Sequence, residues 1–245
     1  MEKIYKLDPK QISFYQENGY LIIKNFLSKE EVSGLVKEAH DFAGDNIHNY
    51  LSFHRDLNNF NKTILRNDLH DICDQLNDFR MIPIGSVFFF CKPNNPLENG
   101  SHPHQDNYVA KAPFGSYFVA SIALDDADES NGALQVWPKS HKVGELPFED
   151  TKNFEFDNEG HVTKAYPIGS RVLDIPNEFD KLTLNYEAGD LILLHSHIIH
   201  AADKNCSDED RWRRQVYFHF VRDGDPFWPG WNAKRQIMDR GPRRV

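Results

Sequence analysis

The chain has 245 residues, of which 40 % are hydrophobic and 27 % charged, so it can bury a sizeable core, and we expect a single domain over residues 1–245. Its formal net charge of −9 at pH 7 argues against nucleic acid or an anionic membrane as a partner, because both select for a basic surface. No segment approaches the roughly 20 consecutive apolar residues that a membrane-spanning helix needs.

Two helices are predicted near the N-terminus, each from a start signal in the sequence. Asp8, followed by a proline and then by Gln11, is typical of a capping box, and an Asn-Gly pair marks the end of this first helix. The apolar run that follows predicts a short strand. Ser28 and Glu31 form a second capping box ahead of apolar residues at helical spacing. Residues 45–80 are polar and mixed, and they predict loops with some helix.

From about residue 82 the chain changes to short apolar runs separated by turn signals, which are typical of β-strands. The runs lie at Val87–Cys91, Ser116–Leu124, Ala133–Trp137, Leu182–Tyr186, Asp190–His195 and Arg213–Val221. Residues 140–180, rich in charge, glycine and proline, predict a long insertion of the kind that is usually functional or mobile. The pattern predicts a mainly β domain, built as an antiparallel sandwich or barrel.

The three cysteines, Cys73, Cys91 and Cys206, are too few and too scattered for a disulfide framework. The N-terminal residues Met1–Lys6 lack the apolar run of a signal peptide. Both features favour a reducing compartment, and we expect a cytoplasmic protein. The oligomeric state cannot be predicted from these features.

Several of the 12 histidines cluster along the chain: His102 and His104 lie beside Asp106, and His195, His197 and His200 lie together. His104 and Asp106 are two residues apart, so in an extended strand both side chains point to one face. There they can bind one ion through an imidazole nitrogen and a carboxylate oxygen. A histidine from a neighbouring strand would complete the two-histidine, one-carboxylate face of non-haem iron(II) oxygenases. The alternative is that both residues lie in a polar surface loop that binds nothing.

The motifs on either side of this pair occur in a characteristic order. They are His104-Gln105-Asp106, Ser121–Asp126, Asn131–Leu134, Pro138–Lys142, Gly189–His195 and His200, followed by a strand that carries arginines. From about residue 8 to residue 222 this series resembles the phytanoyl-CoA dioxygenase family of 2-oxoglutarate-dependent oxygenases. The resemblance implies a double-stranded β-helix (a jelly-roll, cupin-like core) with N-terminal α-helices packed outside it.

The resemblance also implies the cofactors and their ligands. It places iron(II) on His104, Asp106 and His200, with 2-oxoglutarate as co-substrate, O₂ as oxidant, and no catalytic residue beyond the metal ligands. His195 and His197 are the alternatives to His200. The family places its distal ligand a few residues after the apolar strand that Gly189 and Asp190 open, and this matches His200. Halogenating relatives lack the carboxylate, so Asp106 favours hydroxylation.

A buried cation is expected for the distal carboxylate of 2-oxoglutarate. Arginine suits this role because its planar fork binds a carboxylate through two hydrogen bonds. The resemblance places this arginine at Arg213, with Arg211 and Arg214 as alternatives. Many family members have a serine two residues after the distal histidine, where this chain has Ala202, and Ser121 is the candidate that supplies a hydroxyl instead.

The substrate is the least determined part of the prediction. Candidate substrate contacts are Phe90, Gln105, Tyr108, Trp137 and the C-terminal segment Phe227–Trp231. For each aromatic residue among them the alternative is packing in the core. The chain is short and has no evident coenzyme A site, so we expect a small-molecule metabolite of polar character that is hydroxylated or oxidatively demethylated.

Two other functions are compatible with the same residues. A hydrolase or isomerase can use zinc or manganese on these ligands, and a non-catalytic β-barrel binding module can retain the histidines. Succinate formation that depends on iron(II) and 2-oxoglutarate separates the oxygenase from the first alternative. The iron affinity of an Asp106→Ala variant separates it from the second.

Overall fold

The computed structural model describes residues 4–44, 49–95, 100–151, 154–156, 158, 162–165, 170–208, 210–230 and 235–242. The helices in these ranges are α1 (Pro9–Asn18), α2 (Lys29–Ala43), α3 (Asn58–Ile64), α4 (Asn67–Asn77) and α5 (Asn107–Ala110). The strands are β1 (Tyr20–Ile23), β2 (Asn49–Leu51), β3 (Met81–Cys91), β4 (Ser101–His104), β5 (Tyr117–Ala123), β6 (Leu134–Trp137), β7 (Phe148–Glu149), β8 (Phe154–Phe156), β9 (Val162–Ala165), β10 (Arg171–Val172), β11 (Leu182–Thr183), β12 (Leu191–His195), β13 (Ile199–Ala202) and β14 (Arg213–Arg222).

Most of the strands form two antiparallel sheets. The larger sheet has the order β1-β12-β5-β14-β3-β2, and the smaller has the order β11-β6-β13-β4. Apolar residues of both sheets, such as Val119 of β5 and Val136 of β6, meet in one buried cluster, so the two sheets lie face to face. The fold is the double-stranded β-helix that the sequence implied, and helices α1 to α4 lie outside it.

These helices cover the outer face of the larger sheet. Phe218 of β14 and Phe88 of β3 are fully buried there, against Phe53 and Phe60 from the segment between β2 and α4. The ring centroid of Phe53 lies 5.0 Å from that of Phe88 and 6.2 Å from that of Phe218. Since side chains alternate along a strand, the neighbours of Phe218 in β14 point to the other face, into the space between the sheets.

Both predicted capping boxes are present. In α1 the carboxylate of Asp8 accepts a hydrogen bond of 2.8 Å from the amide of Lys10, and the side chain of Gln11 accepts one from the amide of Asp8. In α2 the amide of Glu31 donates to the hydroxyl of Ser28 at 3.2 Å, and the amide of Ser28 donates to the carboxylate of Glu31 at 2.8 Å. Local hydrogen bonds therefore fix where each helix begins.

Replacing Ser28 by alanine is expected to lower the free energy of unfolding by about 1 kcal/mol, because the amide of Glu31 loses its acceptor. Ser33 is exposed inside the same helix and provides the matched control. Ser33→Ala is expected to leave the free energy of unfolding unchanged or slightly higher, since alanine has the higher helix propensity. Urea unfolding measures both variants. An equal loss in the two variants would show that the cap contributes nothing.

Some strands differ from the predicted bounds, and two that matter for the site were not predicted. The strand expected at Val87–Cys91 begins earlier, at Met81, and becomes β3. Strands β4 and β13 are short and include polar residues, so they carry no apolar run. Residues 45–80 include α3 and α4, in agreement with the expectation of some helix. None of the described helices is both long enough and apolar enough to cross a membrane.

In its described residues, the predicted insertion at residues 140–180 carries the short strands β7 to β10. Strand β7 pairs with β10, and β8 pairs with β9. Residues 152–153, 157, 159–161 and 166–169 of this insertion lie outside the described residues, as does Trp231 of the C-terminal aromatic segment. The described part is therefore an elaboration beside the two main sheets.

Candidate metal centre

Three potential metal ligands come together where β4 and β13 pair. The two strands are antiparallel, and their register places His200 directly opposite His104. The Nε2 atoms of His104 and His200 each lie 3.6 Å from a carboxylate oxygen of Asp106. One donor atom from each of the three residues lies within 4.8 Å of the other two. Within the described part of the chain, these three residues form the one such group of ligands.

The position of Asp106 does not come from strand alternation, as the sequence argument assumed. Strand β4 ends at His104, and Asp106 has φ −67° and ψ −24°, which are helical angles. A turn just before α5 therefore brings the carboxylate back towards the imidazole of His104. The amide of Asn107 donates to the carbonyl of Ser196 at 3.0 Å and fixes this turn against the loop before β13.

Backbone carbonyls orient both imidazole rings. The Nδ1 atom of His104 lies 2.6 Å from the carbonyl oxygen of His102, and the Nδ1 atom of His200 lies 3.1 Å from that of Ile198. Since a carbonyl only accepts, Nδ1 carries the proton in each ring, and Nε2 keeps its lone pair. Both lone-pair nitrogens face Asp106. Metal-ligating histidines have this arrangement, in which the second nitrogen donates to a carbonyl or a carboxylate.

The electrostatics of the group suit a cation. Burial alone raises the pKa of the Asp106 carboxyl, but the neighbouring imidazoles of His200 and His104 outweigh burial and hold it below its ordinary value. Burial lowers the pKa of His200 to about 4, so this ring is neutral at pH 7. Burial opposes the charge on His104 too, yet the hydrogen bond to Asp106 raises its pKa. The site thus offers an ionised carboxylate beside a neutral imidazole, the donors that a divalent cation binds.

A cavity of about 200 Å³ opens beside these donors, between the two sheets. Gly100 lines it, next to β13. A Cβ atom there would lie 2.1 Å from the carbonyl oxygen of Ala202, and the φ of +69° is in the left-handed region, so glycine alone fits. The other walls include the apolar Val87, Phe89 and Leu134 and the polar Arg213, Tyr217 and His219.

Of the three candidate arginines, Arg213 is the one that lines this cavity. Its side chain is 3 % exposed, and Nη2 lies 3.1 Å from Sγ of Cys91 on the neighbouring strand β3. Arg214 points to the outer face of the sheet, where its Nε and Nη2 donate two hydrogen bonds to the carboxylate of Asp125. Arg211 forms a surface ion pair with Asp128. The geometry therefore favours Arg213 for a ligand inside the barrel.

Ser121 is fully buried on β5, opposite Tyr217 of β14. Its hydroxyl has no hydrogen-bond partner among the described residues, and it does not line the metal cavity. Ala202, two residues after His200, does line the cavity. Tyr217 also lines the cavity, and its hydroxyl donates to Gln215 at 2.8 Å. Tyr217 is thus nearer to the cavity than Ser121, and the sequence argument did not single it out.

Two of the predicted substrate contacts point away from the cavity. Phe90 packs in the outer core of the larger sheet, and its neighbour Phe89 lines the cavity instead. Trp137 lies on the outer face of the smaller sheet with Ile199 and Ala201. The placement of Phe90 and Trp137 gives them the core-packing role that was the alternative.

The other two predicted contacts are held by the surrounding loops. The side-chain amide of Gln105 donates to the carbonyl of His197 at 2.6 Å and accepts from the amide of Leu146 at 2.8 Å, so it fastens the insertion to the barrel. Tyr108 lies nearer to the metal site, with its ring centroid 6.4 Å from that of His104. Its hydroxyl accepts a hydrogen bond from the amide of Ser170 at 2.9 Å.

His195 and His197 lie outside the group of metal ligands. Their rings pack with His141 and Phe114, and the centroids of His141 and His195 are 5.0 Å apart. This cluster lies beside the end of α1, where Nε2 of His141 donates to the carbonyl of Gln16 at 3.1 Å. These contacts describe packing residues, in agreement with the preference for His200.

Comparison with known proteins adds a family to this geometry. The family model described as phytanoyl-CoA dioxygenase (PhyH) matches residues 15–214. The peroxisomal phytanoyl-CoA dioxygenase of Bos taurus is 26 % identical over 246 residues, covering 88 % of this chain and 68 % of the relative. A phytanoyl-CoA dioxygenase of Arabidopsis thaliana is 25 % identical over 256 residues, covering 84 % and 86 %.

Solved structures show the same fold. The epimerase SnoN, crystallised with Fe³⁺, alpha-ketoglutarate and nogalamycin RO, superposes with a TM-score of 0.72 at 16 % sequence identity. The superposition covers 96 % of this chain and 92 % of SnoN. At this identity the likeness describes the architecture of the barrel.

Proposed function

Since this chain belongs to the phytanoyl-CoA dioxygenase family, we propose that His104, Asp106 and His200 hold its iron(II) and that Arg213 binds the distal carboxylate of 2-oxoglutarate. The protein is an iron(II)- and 2-oxoglutarate-dependent dioxygenase. The observation that carries the residue assignment is the convergence of two oriented imidazoles and one carboxylate on the cavity that Arg213 lines.

The side chains of the protein cannot activate O₂, so the reaction needs iron. Bound iron(II) activates O₂, so that 2-oxoglutarate becomes succinate and CO₂ while a substrate C–H becomes C–OH. The chain's own part is to bind, orient and shield. Asp106 supplies a negative charge, and the carbonyls of His102 and Ile198 hold the rings of His104 and His200 in position. Two histidines and one carboxylate leave open positions for a chelating co-substrate and O₂.

Arg213 serves the co-substrate. The guanidinium is buried on β14, within the same cavity wall as the metal ligands, so it can form charge-assisted hydrogen bonds away from water. The apolar side chains of Val87, Phe89 and Leu134 complete that wall and limit the access of water. This arrangement supports binding of 2-oxoglutarate with its keto acid at the metal and its distal carboxylate at Arg213.

The proposal also includes a single domain over residues 1–245 and a small-molecule substrate, without a role for nucleic acid or a membrane. A cytoplasmic location is supported by the scattered cysteines, of which Cys73 and Cys91 are buried. The bovine relative is named as peroxisomal, so cell fractionation of the native protein is the measurement that decides the compartment.

Anaerobic titration with iron(II) and then 2-oxoglutarate tests the proposed function. We expect a weak visible charge-transfer band when 2-oxoglutarate chelates the metal, and succinate when O₂ is admitted with substrate. Zinc(II) in place of iron(II) is the control and should give neither signal. Substrate turnover without succinate would instead favour a hydrolase or isomerase on the same ligands.

A further inference from the structure

A second cavity, of about 240 Å³, adjoins the metal cavity and shares one wall residue with it. That residue is His219 of β14, which lines both spaces. Val109 of α5 also lines the second cavity, three residues after Asp106. The second cavity therefore lies beside the metal ligands, on the side of α5. Its walls include the apolar Leu51, Val109 and Trp228 and the polar Ser86, His219 and Arg235.

Trp228, Gly230 and Arg235 of the C-terminal tail line this cavity, and described residues of the tail are hydrogen-bonded to the rest of the fold. The amide of Trp228 donates to the carbonyl of Ala110 at the end of α5, at 2.6 Å. Further along, the amide of Gln236 donates to the carbonyl of Ile84 in β3, at 2.8 Å. Between these anchors Arg235 is held over the cavity. The tail thus connects the turn that carries Asp106 to the larger sheet.

A buried ion pair secures the end of the tail. Arg240 and Asp74 of α4 are joined by two hydrogen bonds of 2.8 and 2.7 Å, and their side chains are only 3 % and 7 % exposed. Arg240 also donates to the carbonyl of Met81 at 2.7 Å. This bidentate pair fixes the tail at Arg240, five residues after Arg235.

Arg235 is the charged group among the described residues that line the second cavity. Within the described ranges its guanidinium is hydrogen-bonded to the hydroxyl of Tyr117 and, through Nη1 at 3.4 Å, to the carbonyl of Trp228, and neither partner is a carboxylate. Burial lowers the pKa of His219 to about 4, so that neighbour is neutral at pH 7. A protein with a net charge of −9 therefore presents one localised positive charge in this space.

We propose that the second cavity receives the substrate and that Arg235 binds an anionic group of it, a carboxylate or a phosphoryl or phosphonyl group. This inference rests on the proposed function, because the cavity gains its meaning from the metal beside it. Its volume admits a small metabolite and cannot enclose a coenzyme A thioester. Arg235 then fixes one end of the substrate, and the other end faces His219 and the metal cavity.

The test compares acids with neutral molecules of the same shape. Short-chain carboxylates, alkylphosphonates and phosphate monoesters are each paired with their amide or methyl ester, and with the amine of similar length. Binding to the anaerobic protein with iron(II) and 2-oxoglutarate is read from the change in the visible band, and turnover is read from succinate. We expect hits among the acids alone, and the acid class that binds identifies the anionic group.

Variants at Arg235 assign the charge to this residue. Arg235→Met is expected to weaken binding of the best acid by about 10- to 150-fold, the loss typical of hydrogen bonds to a charged group, while affinity for 2-oxoglutarate stays unchanged. Arg235→Lys should recover part of the loss. The control is Arg222→Met, because Arg222 lies outside both cavities and pairs with Asp225. Thermal unfolding by circular dichroism verifies that each variant is folded.

Several outcomes would overturn the inference. They are hits that are neutral or cationic, no acid that binds while the wild-type protein forms the iron and 2-oxoglutarate band, and unchanged acid affinity in Arg235→Met. A wild-type protein that never forms the band contradicts the proposed function instead. Formation of the visible band by the wild-type protein therefore separates failure of this inference from failure of the proposed function.

Discussion

Asp106→Ala is expected to abolish succinate formation and to weaken iron(II) binding by more than about 100-fold. The estimate is a lower bound, since loss of a group that only supports a metal ligand already costs roughly 10- to 100-fold in affinity. Asp106 is the one anionic donor of the group, and both imidazoles face its oxygens at 3.6 Å. Anaerobic equilibrium dialysis with iron(II) measures the affinity directly, without dependence on turnover.

His102→Ala is the matched control for this variant. His102 lies two residues before His104 and is partly buried. Its imidazole lies outside the group of ligands, and its backbone carbonyl orients the ring of His104. We expect iron affinity close to that of the wild type, because the substitution keeps that carbonyl. Unchanged iron affinity in Asp106→Ala would refute the proposed ligand set. Equal losses in both variants would show that the loop, rather than the carboxylate, was disturbed.

The sequence predicted that His104, Asp106 and His200 come together, but for the wrong structural reason. His104 and Asp106 were expected to share a face of one strand, but the strand ends at His104 and a turn brings the carboxylate back. Strands β4 and β13, which carry the two histidines, are four residues each and include polar side chains. Such strands have no apolar periodicity, and pairing across the sheet defines them. The order of the motifs along the chain indicated these histidines, whereas the local apolar pattern predicted no strand there.

Helix starts were predicted well because their cause is local. The capping boxes at Asp8 and Ser28 depend on residues three apart, and both formed as expected. Which face of a strand each residue occupies was not predicted as well. Strand β3 is buried on both sides over nearly all of its length, so hydrophobicity cannot tell Phe89 from Phe90. Phe90 was chosen as a substrate contact, and it is Phe89 that lines the cavity.

The residues around the second cavity could not be predicted from the sequence, because their positions depend on contacts between distant parts of the chain. Arg235 follows the aromatic segment at Phe227–Trp231 that was singled out, but an arginine in a polar tail resembles any solvated residue. Its role depends on the tail being fastened to β3 and to α4, more than 140 positions earlier in the chain. Contacts at such separation leave no pattern in one sequence.

Arg213→Met is expected to raise the concentration of 2-oxoglutarate needed for half-maximal turnover by roughly 30- to 5,000-fold. Removing one partner of a buried, hydrogen-bonded charge pair costs about 2 to 5 kcal/mol, and each 1.4 kcal/mol is about tenfold. Methionine has a similar length without charge, so the barrel keeps most of its packing. Iron(II) affinity in the absence of 2-oxoglutarate should stay near the wild-type value, because Arg213 is not a metal ligand.

Arg211→Met decides whether this effect belongs to Arg213. Arg211 lies two residues earlier, and its side chain is 40 % exposed in an ion pair with Asp128, so its removal should change stability by about 1 kcal/mol or less. The 2-oxoglutarate requirement should then be unchanged. Should Arg211→Met raise it while Arg213→Met leaves it unaltered, the co-substrate carboxylate lies at the rim of the barrel. The chelating keto acid and the arginine would then be too far apart to share the buried cavity, and the orientation proposed for 2-oxoglutarate would be wrong.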